Sequence, residues 1–506
     1  MTVESKAHIC VPITSSKLDA AQTAARRASQ IGDLIELRLD YLEDFDLNNP
    51  DNGLTKLLEA CSRPVILTLR PQEQGGARQL SKAVRVKFWS KVKAGDYRDI
   101  ELDLLEDLSA DERFTSAQKW EQVIASYHNF ACTPGDLDRI YERLAGTPAR
   151  IIKLATQANS ITDCLRIREL VRRARGEGRP VIGIAMGMRG VMTRILGPSW
   201  GSLLTYGSLE AGAESAPGQV SAADLRNLYR IDQISEETEI LGIIGNPLGH
   251  SLSPQMHNAA LRKLGLDGVY IPYEVDDLRE FIFNFVQPST RKVDWKLRGF
   301  SVTIPHKVEI IKYLDQLDRQ AERVGAVNTV VIRDGRLYGY NTDVDGAIEP
   351  LKRVMDLPGA RAAVLGAGGA ARALVFGLKQ QGAQVRLYAR DVSKAEKLAS
   401  EAEIVLDSLD NLSGFDYDLL VNATPVGMRG HSEESPVSPD LLRAGKVVFD
   451  LVYNPPETTL IKYAKRAGCR VVDGMQMLVE QAARQFELWL GVRPDVNVML
   501  SETVQK

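Results

Sequence analysis

The chain has 506 residues, of which 44% are hydrophobic and 25% charged, so it is long enough for two or three domains and its composition excludes extended disorder. Its formal net charge of −3 favours neither nucleic acid nor an anionic membrane as a partner. The five cysteines form no C-x-x-C pair and no cluster with histidines, which predicts a reducing compartment and no metal site.

The N-terminus carries acidic and polar residues and lacks the apolar core of a signal peptide, so we expect no targeting segment. No apolar run approaches the length that spans a membrane. We therefore predict a soluble, cytoplasmic protein.

Residues 1–231 alternate short apolar runs with segments of helical periodicity. The predicted strands are Ile9–Ile13, Leu34–Leu39, Val65–Leu69, Asp99–Leu104, Val123–Tyr127, Arg150–Ala155, Val181–Ala185 and Ser202–Tyr206. The predicted helices between them are Leu18–Gln30, Arg78–Lys93, Gly135–Ala145 and Ser160–Arg175, and the segments after strands four and seven are the least helix-like. Strands that alternate with helices in this way predict an α/β fold, here a (β/α)₈ barrel.

Polar residues gather at the predicted C-terminal strand ends, where such barrels carry their chemistry. They are Glu36, Arg38, Arg70, Glu101, Asp103, His128 and Lys153. Lys153 stands within the apolar sequence Ile151–Ala155, where burial favours the uncharged amine that attacks a carbonyl. The alternative is a lysine that pairs with Glu101 or Asp103. His128 ends the preceding strand and could move protons beside an imine, although a single histidine is more often structural.

Several short motifs follow one another in this half. They are Glu36-Leu-Arg38, Arg70, Ser126-Tyr-His128, Ile152-Lys153, Met186, Thr193-Arg194 and Ser215-Ala-Pro-Gly-Gln219. Together they resemble type I 3-dehydroquinate dehydratase. The resemblance implies that Lys153 forms an imine with the substrate ketone and that His128 moves the protons of the elimination. It also implies substrate binding by Glu36, Arg38, Arg70, Arg194, Ser215 and Gln219.

One motif departs from that family. Gln74-Gly75-Gly76 stands where the family has Glu-Gly-Gly, and the family's glutamate orients the catalytic histidine. A neutral amide cannot stabilise an imidazolium as a carboxylate does. We expect either that Glu73 or Glu101 replaces this glutamate or that the first chemical step is slow.

A polar, acid-rich bridge, Ile231–Glu239, lies between two apolar runs and is the predicted linker between the halves. After the first strand of the second half, Ser251 and Ser253 place two hydroxyls before a helix that Pro254 would start. Such hydroxyls suit a carboxylate or a polyol, and capping of the helix is an equally good explanation.

Two charged residues of the second half are candidates for acid–base chemistry. Lys307 follows a strand and a proline, so we predict it in the first turn of a helix, where the dipole disfavours a cation. A surface lysine without a role is the alternative. Asp343 is predicted either as the N-cap of a helix, Val344–Val354, or as the acid partner of Lys307.

A glycine-rich turn follows the predicted strand that ends at Leu365. Gly366, Gly368 and Ala371 occupy the small-residue positions of a G-x-G-x-x-[G/A] pattern, which permits a tight turn and a close approach of backbone N–H groups to a pyrophosphate. A helix predicted to begin near Ala370 would direct its positive end at the phosphates. This pattern alone is a weak signal of a nucleotide site.

The residues after the next strand, 384–389, indicate which nucleotide binds. An NAD enzyme usually carries an acid here for the ribose 2′-hydroxyl. This chain has Arg390 and, one helical turn later, Lys394, which suit a 2′-phosphate, so we predict NADP. The alternative is a solvated charge pair, because Asp391 stands next to Arg390.

The second half contains a further ordered set of motifs. They are Ser251-Leu-Ser253, Thr303 with Lys307, Asn328, Asn341-Thr-Asp343, the glycine turn, Asn422-Ala-Thr-Pro425 and Asp473-Gly-Met-Gln-Met477. Over residues 240–490 they resemble shikimate dehydrogenase. The resemblance implies Lys307 and Asp343 as the catalytic pair, and substrate binding by Ser251, Ser253, Thr303, Asn328, Tyr453 and Gln481. It implies cofactor binding by Gly366, Ala367, Gly368, Gly369, Ala370, Arg390, Lys394, Thr424, Leu451 and Gly474. The family commonly has Asn-Arg where this chain has Ala389-Arg390.

The two resemblances support each other because they concern adjacent steps of the shikimate pathway. They predict a barrel at 1–231, a shikimate-binding domain at 240–345 plus 470–506, and a doubly wound NADP-binding Rossmann domain at 346–469. The predicted partners are 3-dehydroquinate, 3-dehydroshikimate and shikimate. Two alternatives remain: a quinate dehydrogenase, against which Ser253 and Thr303 argue, and a non-catalytic metabolite sensor, against which the reactive residues argue.

Overall fold

A computed structural model describes residues 7–92, 94–109, 119–249, 251–430 and 434–502. Backbone contacts divide the chain into two units. The first comprises the chain up to residue 250 together with 267–296, and the second comprises 251–266 together with the chain from 297 onward. Within the ranges just given, no helix is both long enough and apolar enough to cross a membrane. The predicted three-domain division stays a prediction.

The first unit contains a parallel eight-stranded sheet. Its strands are β1 (His8–Ile13), β2 (Leu34–Arg38), β3 (Val65–Thr68), β4 (Tyr97–Glu101), β5 (Val123–Asn129), β6 (Ile151–Gln157), β7 (Val181–Met186) and β8 (Leu204–Tyr206). Their spatial order is β7-β6-β5-β4-β3-β2-β1-β8. Leu203, just before β8, donates a hydrogen bond to the carbonyl of Val181 in β7 at 2.7 Å, so the two ends of this order meet. The predicted barrel is confirmed.

Helices follow the strands on the chain. They are α1 (Leu18–Ile31), α2 (Asp51–Glu59), α3 (Lys82–Lys91), α4 (Leu102–Leu108), α5 (Leu137–Ala145), α6 (Asp163–Gly176) and α7 (Val191–Trp200). The prediction of strand four was wrong at its end, because β4 stops at Glu101 and Leu102–Leu108 is helical. Leu102, Leu105 and Leu108 recur every three residues, so the apolar run also fits one face of a helix. The segments after strands four and seven are therefore helical despite their weak signal.

The first unit continues beyond the barrel. The predicted linker adopts turns from 231 to 238, and β9 (Glu239–Gly245) then pairs in parallel with β10 (Gly268–Glu274). A short helix, α9 (Leu278–Phe281), follows β10. Tyr273, Phe281 and Trp295 pack their rings together here, with the Tyr273 and Phe281 centroids 5.7 Å apart.

The second unit begins with α8 (Ser253–Leu264), and its first strands form a mixed sheet. β11 (Lys296–Val302) and β14 (Arg336–Tyr340) each pair antiparallel with β13 (Thr329–Arg333), and β12 (Gln316–Leu317) pairs in parallel with β14. The helices of this part are α10 (Arg319–Val324), α11 (Asp343–Lys352), α15 (Gly474–Leu490) and α16 (Val496–Ser501). α15 packs on the sheet, where Trp489 Nε1 donates to the carbonyl of Val330 at 2.9 Å.

The rest of the second unit is a doubly wound parallel sheet, as predicted. Its strands are β15 (Arg361–Leu365), β16 (Gln384–Ala389), β17 (Val405–Ser408), β18 (Leu419–Asn422), β19 (Val447–Asp450) and β20 (Arg470–Val472). Its helices are α12 (Gly369–Gln380), α13 (Val392–Ala402) and α14 (Thr459–Arg466). The strand order β17-β16-β15-β18-β19-β20 reverses direction between β15 and β18, and nucleotides bind at such a point in these folds.

Candidate active sites

Lys153 lies in the middle of β6, and the barrel buries its side chain, which is 6% exposed. Its Nζ donates to Asp99 Oδ2 at 2.8 Å and to the hydroxyl of Tyr206 at 2.9 Å. Glu36 Oε1 lies 3.5 Å away. Lys153 therefore pairs with carboxylates, although not with the two that the sequence suggested.

Arg70 organises the charges around Lys153. Its Nη2 lies 2.8 Å from Asp99 Oδ2, so one carboxylate contacts both cations. Burial alone would raise the pKa of Asp99, but the positive charges of Arg70 and Lys153 hold it well below its usual value. Asp99 is therefore an anion throughout the physiological range.

Among the residues that the structure describes, His128 contacts Arg70 and no carboxylate. Arg70 Nη1 lies 2.8 Å from His128 Nδ1, and because arginine can only donate, this ring nitrogen accepts the bond. Burial and the nearby charges of Arg70 and Lys153 lower the pKa of His128 well below its ordinary value. His128 is therefore neutral, and this contact assigns its proton to Nε2.

Neither predicted substitute for the family's glutamate reaches His128. Glu73 is exposed, and Glu101 lies against two arginines, with Oε2 3.1 Å from Arg85 Nη1 and Oε1 3.7 Å from Arg70 Nη1. Burial raises the pKa of Glu101 to about 7. Gln74 Nε2 donates to Asp103 Oδ1 at 3.2 Å. The partner of His128 is thus a cation, which the motif comparison could not foresee.

One cavity collects the predicted residues of the barrel. Its lining includes Glu36, Arg38, Arg70, His128, Lys153, Arg194, Ser215 and Gln219. Arg38 donates two hydrogen bonds to Asp40, from Nε at 3.0 Å and from Nη2 at 2.8 Å. Arg194 is different, because within the described part of the chain its Nη atoms donate only to backbone carbonyls, those of Tyr206 and Pro217, at 3.5 and 3.2 Å. Burial lowers the pKa of Arg194 to about 10. An anionic group of a ligand would relieve this buried charge.

The same cavity contains Tyr206, a residue that sequence reasoning missed. It is the last residue of β8 and is 5% exposed. An aromatic residue at the end of a strand is ordinary core composition, so only the fold shows that its hydroxyl meets Lys153.

In the second unit, Lys307 and Asp343 form an ion pair, with Nζ 2.6 Å from Oδ2. Asn328 Nδ2 donates to Asp343 Oδ1 at 2.8 Å and approaches Gln481 Oε1 at 3.5 Å. α11 and α15 can approach closely here because Gly346 has no side chain, as a Cβ at this position would lie 2.7 Å from Gln481 Cβ. Four predicted residues are therefore joined by contacts.

The prediction for Lys307 was wrong in one respect. Lys307 lies in a turn, and the following 3₁₀ helix begins only at Glu309. The helix dipole that we expected to act on the Lys307 amine is therefore not there. Its carbonyl accepts a hydrogen bond from Val327 at 2.8 Å, which fixes the turn next to Asn328. Asp343 is the first residue of α11 after Thr342, so of the two predictions for it the pairing with Lys307 is the one observed.

The other predicted substrate residues lie on turns and at a helix start. α8 begins at Ser253, which follows Leu252, and the Ser253 N–H donates to Ser251 Oγ at 3.3 Å. Thr303 accepts a backbone hydrogen bond from His306 at 2.9 Å. Tyr453 is 39% exposed. The roles of these side chains in substrate binding stay predictions.

The glycine turn has the geometry that a pyrophosphate needs. Gly366 has φ +102°, and a Cβ there would lie 2.9 Å from Thr424 Cγ2. α12 begins at Gly369, one residue earlier than predicted, with Gly368 before it. A Cβ at Gly368 or Gly369 would meet no atom of the described residues within 4 Å, so this face of the turn is open to a ligand. The residues present therefore fit a dinucleotide at the start of α12.

Gly474 and Leu451 approach each other closely near the end of β19. A Cβ at Gly474 would lie 2.3 Å from the carbonyl oxygen of Leu451, so no larger residue fits. Leu451 in turn donates its N–H to Asn422 at the end of β18, at 3.0 Å. Asn422 also accepts from Thr424 Oγ1 at 2.6 Å. Thr424, Leu451 and Gly474 are thus arranged around the strand ends beside the switch point.

The two cations predicted for the 2′-phosphate differ in their surroundings. Arg390 is exposed immediately after β16. Lys394 Nζ lies 3.2 Å from Asp391 Oδ2, and its side chain is 81% exposed. The alternative to phosphate binding, a solvent-exposed charge pair with Asp391, is therefore observed for Lys394.

Comparison with known proteins agrees with the family resemblance predicted for each half of the chain. Residues 9–236 match the family described as type I 3-dehydroquinase, residues 243–330 match the shikimate dehydrogenase substrate binding domain, and residues 474–502 match the shikimate 5′-dehydrogenase C-terminal domain. The chain is 36% identical to the chloroplastic bifunctional 3-dehydroquinate dehydratase/shikimate dehydrogenase of Arabidopsis thaliana, over 97% of this chain and 83% of that protein.

Relatives of the second half alone are also similar. The shikimate dehydrogenase (NADP(+)) of Pyrococcus furiosus is 44% identical over 53% of this chain and 95% of that protein. A crystal structure of a shikimate dehydrogenase with NADP⁺ matches at 39% identity and a TM-score of 0.50, covering 54% of this chain and 96% of that one. With a dehydratase barrel followed by a dehydrogenase unit, the chain belongs to the family of bifunctional 3-dehydroquinate dehydratase/shikimate dehydrogenases.

Proposed function

We propose that this chain dehydrates 3-dehydroquinate to 3-dehydroshikimate through an imine at Lys153, and then reduces that product to shikimate with NADPH. The observation that carries the proposal is the burial of Lys153 in the cavity that also holds His128 and Arg194. Family membership supports both activities, and the Lys307–Asp343 pair supports the second.

In the dehydratase site, each charged residue has a distinct part. The buried amine of Lys153 attacks the ketone, and the imine withdraws electrons from the neighbouring carbon. Arg194 binds the substrate carboxylate, because among the described residues it is the guanidinium in the cavity lining whose partners are backbone carbonyls and not carboxylates. Glu36, Arg38, Ser215 and Gln219 bind the hydroxyls.

His128 removes the C2 proton and returns one to the departing hydroxyl. For Nε2 to act as the base, Nδ1 must carry the proton, so Arg70 has to exchange its contact with His128 for one with the substrate. The depressed pKa of His128 keeps the ring neutral, which is the form that a base requires.

Borohydride tests the imine, because it reduces an imine to a stable secondary amine. With 3-dehydroquinate present, we expect a covalent adduct on Lys153 and none in Lys153→Ala, as read by mass spectrometry. An adduct on another lysine, or no adduct in the native chain, would overturn the mechanism.

In the dehydrogenase site, Lys307 donates a proton to the oxygen of the reduced ketone. Asp343 keeps Lys307 charged and contacts a substrate hydroxyl, while Asn328 and Gln481 orient Asp343. Ser251, Ser253, Thr303 and Tyr453 complete the binding of the substrate.

NADP is held by the glycine turn and the residues around the switch point. When bound, NADPH supplies the hydride. Gly366, Ala367, Gly368, Gly369 and Ala370 approach the pyrophosphate, Arg390 and Lys394 bind the 2′-phosphate, and Thr424, Leu451 and Gly474 lie toward the nicotinamide.

One spectrophotometric assay separates this proposal from its alternatives. Absorbance of the enone product should rise when 3-dehydroquinate is added and fall when NADPH follows. Quinate with NADP⁺ tests for a quinate dehydrogenase, which the hydroxyls of Ser253 and Thr303 disfavour. No change with any substrate would indicate a metabolite sensor.

Three further features belong to the proposal. They are the division into a barrel at 1–231, a shikimate-binding domain at 240–345 plus 470–506 and an NADP domain at 346–469; small molecules as the partners; and a cytoplasmic location. The chloroplastic location of the Arabidopsis relative is the alternative to the last of these.

A further inference from the structure

The hydroxyl of Tyr206 accepts a hydrogen bond from Lys153 Nζ at 2.9 Å. Tyr206 is buried in the cavity lining, and its ring centroid lies 4.2 Å from the same nitrogen. Because the oxygen acts as acceptor toward the amine, its own O–H proton remains available for a second bond. The hydroxyl can therefore accept a hydrogen bond from the amine and donate one to an oxygen of the substrate at the same time.

Imine formation requires proton transfers in addition to those of the elimination. A lysine ammonium has three N–H protons, whereas a protonated imine has one and the departing water has two. Two protons must therefore pass from nitrogen to the ketone oxygen, one as the C–N bond forms and one as the C–O bond breaks. Hydrolysis of the product imine reverses both transfers.

We propose that Tyr206 relays these two protons. In each transfer its oxygen takes a proton from Lys153 Nζ while its O–H gives a proton to the substrate oxygen, so the tyrosine is regenerated each time. The first transfer yields a carbinolamine, and the second expels water as the nitrogen lone pair closes the C=N bond. This assignment rests on the imine mechanism proposed above.

The surroundings favour Tyr206 over the other groups beside Lys153. Asp99 is shared with Arg70, which keeps it an anion and a weak acceptor of protons. Glu36 lies further away, at 3.5 Å, and accepts a hydrogen bond from Thr68 at 2.9 Å. Burial and nearby anions raise the pKa of Tyr206 well above its ordinary value, so the phenol stays neutral and exchanges protons without forming a phenolate.

The test follows loss of a heavy-oxygen label from the ketone of 3-dehydroshikimate in the full-length chain without NADPH. This exchange requires imine formation and hydrolysis but no elimination. Tyr206→Phe keeps the ring and removes the hydroxyl, and we expect exchange to slow about 100-fold. Tyr141→Phe is the matched control, because this buried tyrosine on α5 donates to Glu177 and does not line the cavity. It should exchange at the native rate.

The outcomes separate this proposal from the imine itself. Exchange at the native rate in Tyr206→Phe, with borohydride still labelling Lys153, would overturn the relay alone. Absence of exchange and of labelling in the native chain would overturn the imine mechanism. A native thermal transition shows that Tyr206→Phe is folded. If Tyr206→Phe does not fold, Tyr206→Leu, which also lacks the hydroxyl, takes its place and must show the same loss of exchange.

Discussion

The two lysines that we propose as catalytic residues of the two activities are held in different ways. Lys153 is buried in a closed barrel and contacts Asp99, Tyr206 and, more distantly, Glu36. Lys307 stands on a turn, is 32% exposed and has Asp343 as its ion-pair partner. A buried amine needs a route for its protons, whereas an exposed amine exchanges protons with water and needs mainly to be positioned.

The largest expected effect comes from removing Lys153. Lys153→Ala should lower dehydratase kcat by at least about four orders of magnitude, because the covalent route is lost. Shikimate oxidation should be unchanged. Lys91→Ala is the control, since this lysine of α3 donates to the carbonyl of Asn48 on the barrel surface. A dehydrogenase that fails in Lys153→Ala would show that the two activities are not separable.

Removing either member of the Lys307–Asp343 pair should cost roughly two to four orders of magnitude in dehydrogenase kcat. The double variant should be little worse than the poorer single one, because both residues serve one step. Lys312→Ala, a nearby exposed lysine 4.0 Å from Glu309, should be neutral. If Lys307→Ala raised only KM, Lys307 would be a binding group and the proton donor would have to be Asp343 or water.

Arg390→Ala should raise the KM for NADP about tenfold and leave that for NAD nearly unchanged, because a guanidinium matches a 2′-phosphate. Lys394→Ala should have a smaller effect, since Asp391 already offsets its charge. Steady-state kinetics with both cofactors measures this difference. Equal losses with NADP and NAD would make Arg390 structural.

The smallest expected effect concerns the family's missing carboxylate. Gln74→Glu would place an anion beside Asp103, and the repulsion should turn it toward His128 and Arg70. An anion favours the imidazolium, so the pKa of His128 should rise and the acid limb of dehydratase kcat/KM should move up by about one pH unit. Glu73→Gln, at an exposed neighbour, should leave the profile unchanged. A shift toward acid would contradict this assignment.

The sequence predicted the order of elements well where periodicity was clear and failed where one pattern fits two structures. The run after Glu101 satisfies both a strand and a helix face, and burial of its leucines decided for the helix. Pro305 suggested a helix start, yet Lys307 lies in a turn. Both errors concern element ends, where local pattern is weakest.

The sites were predicted as sets of residues and not as contacts. Motifs identified His128 and Lys153, but pairs distant in sequence, such as Arg70 with His128 or Asn328 with Gln481, depend on the fold. Tyr206 belongs to none of the motifs, and its hydroxyl contacts Lys153 only because β8 closes the barrel near β6.

The unequal burial of the two lysines bears on how the chain could be inhibited. A bulky amine-reactive compound could reach the partly exposed Lys307 but not Lys153, whose side chain is 6% exposed. A small ketone that mimics the substrate would have the opposite selectivity, because the barrel cavity would orient it toward the buried amine. We therefore expect that covalent compounds of these two kinds would inhibit the two activities separately.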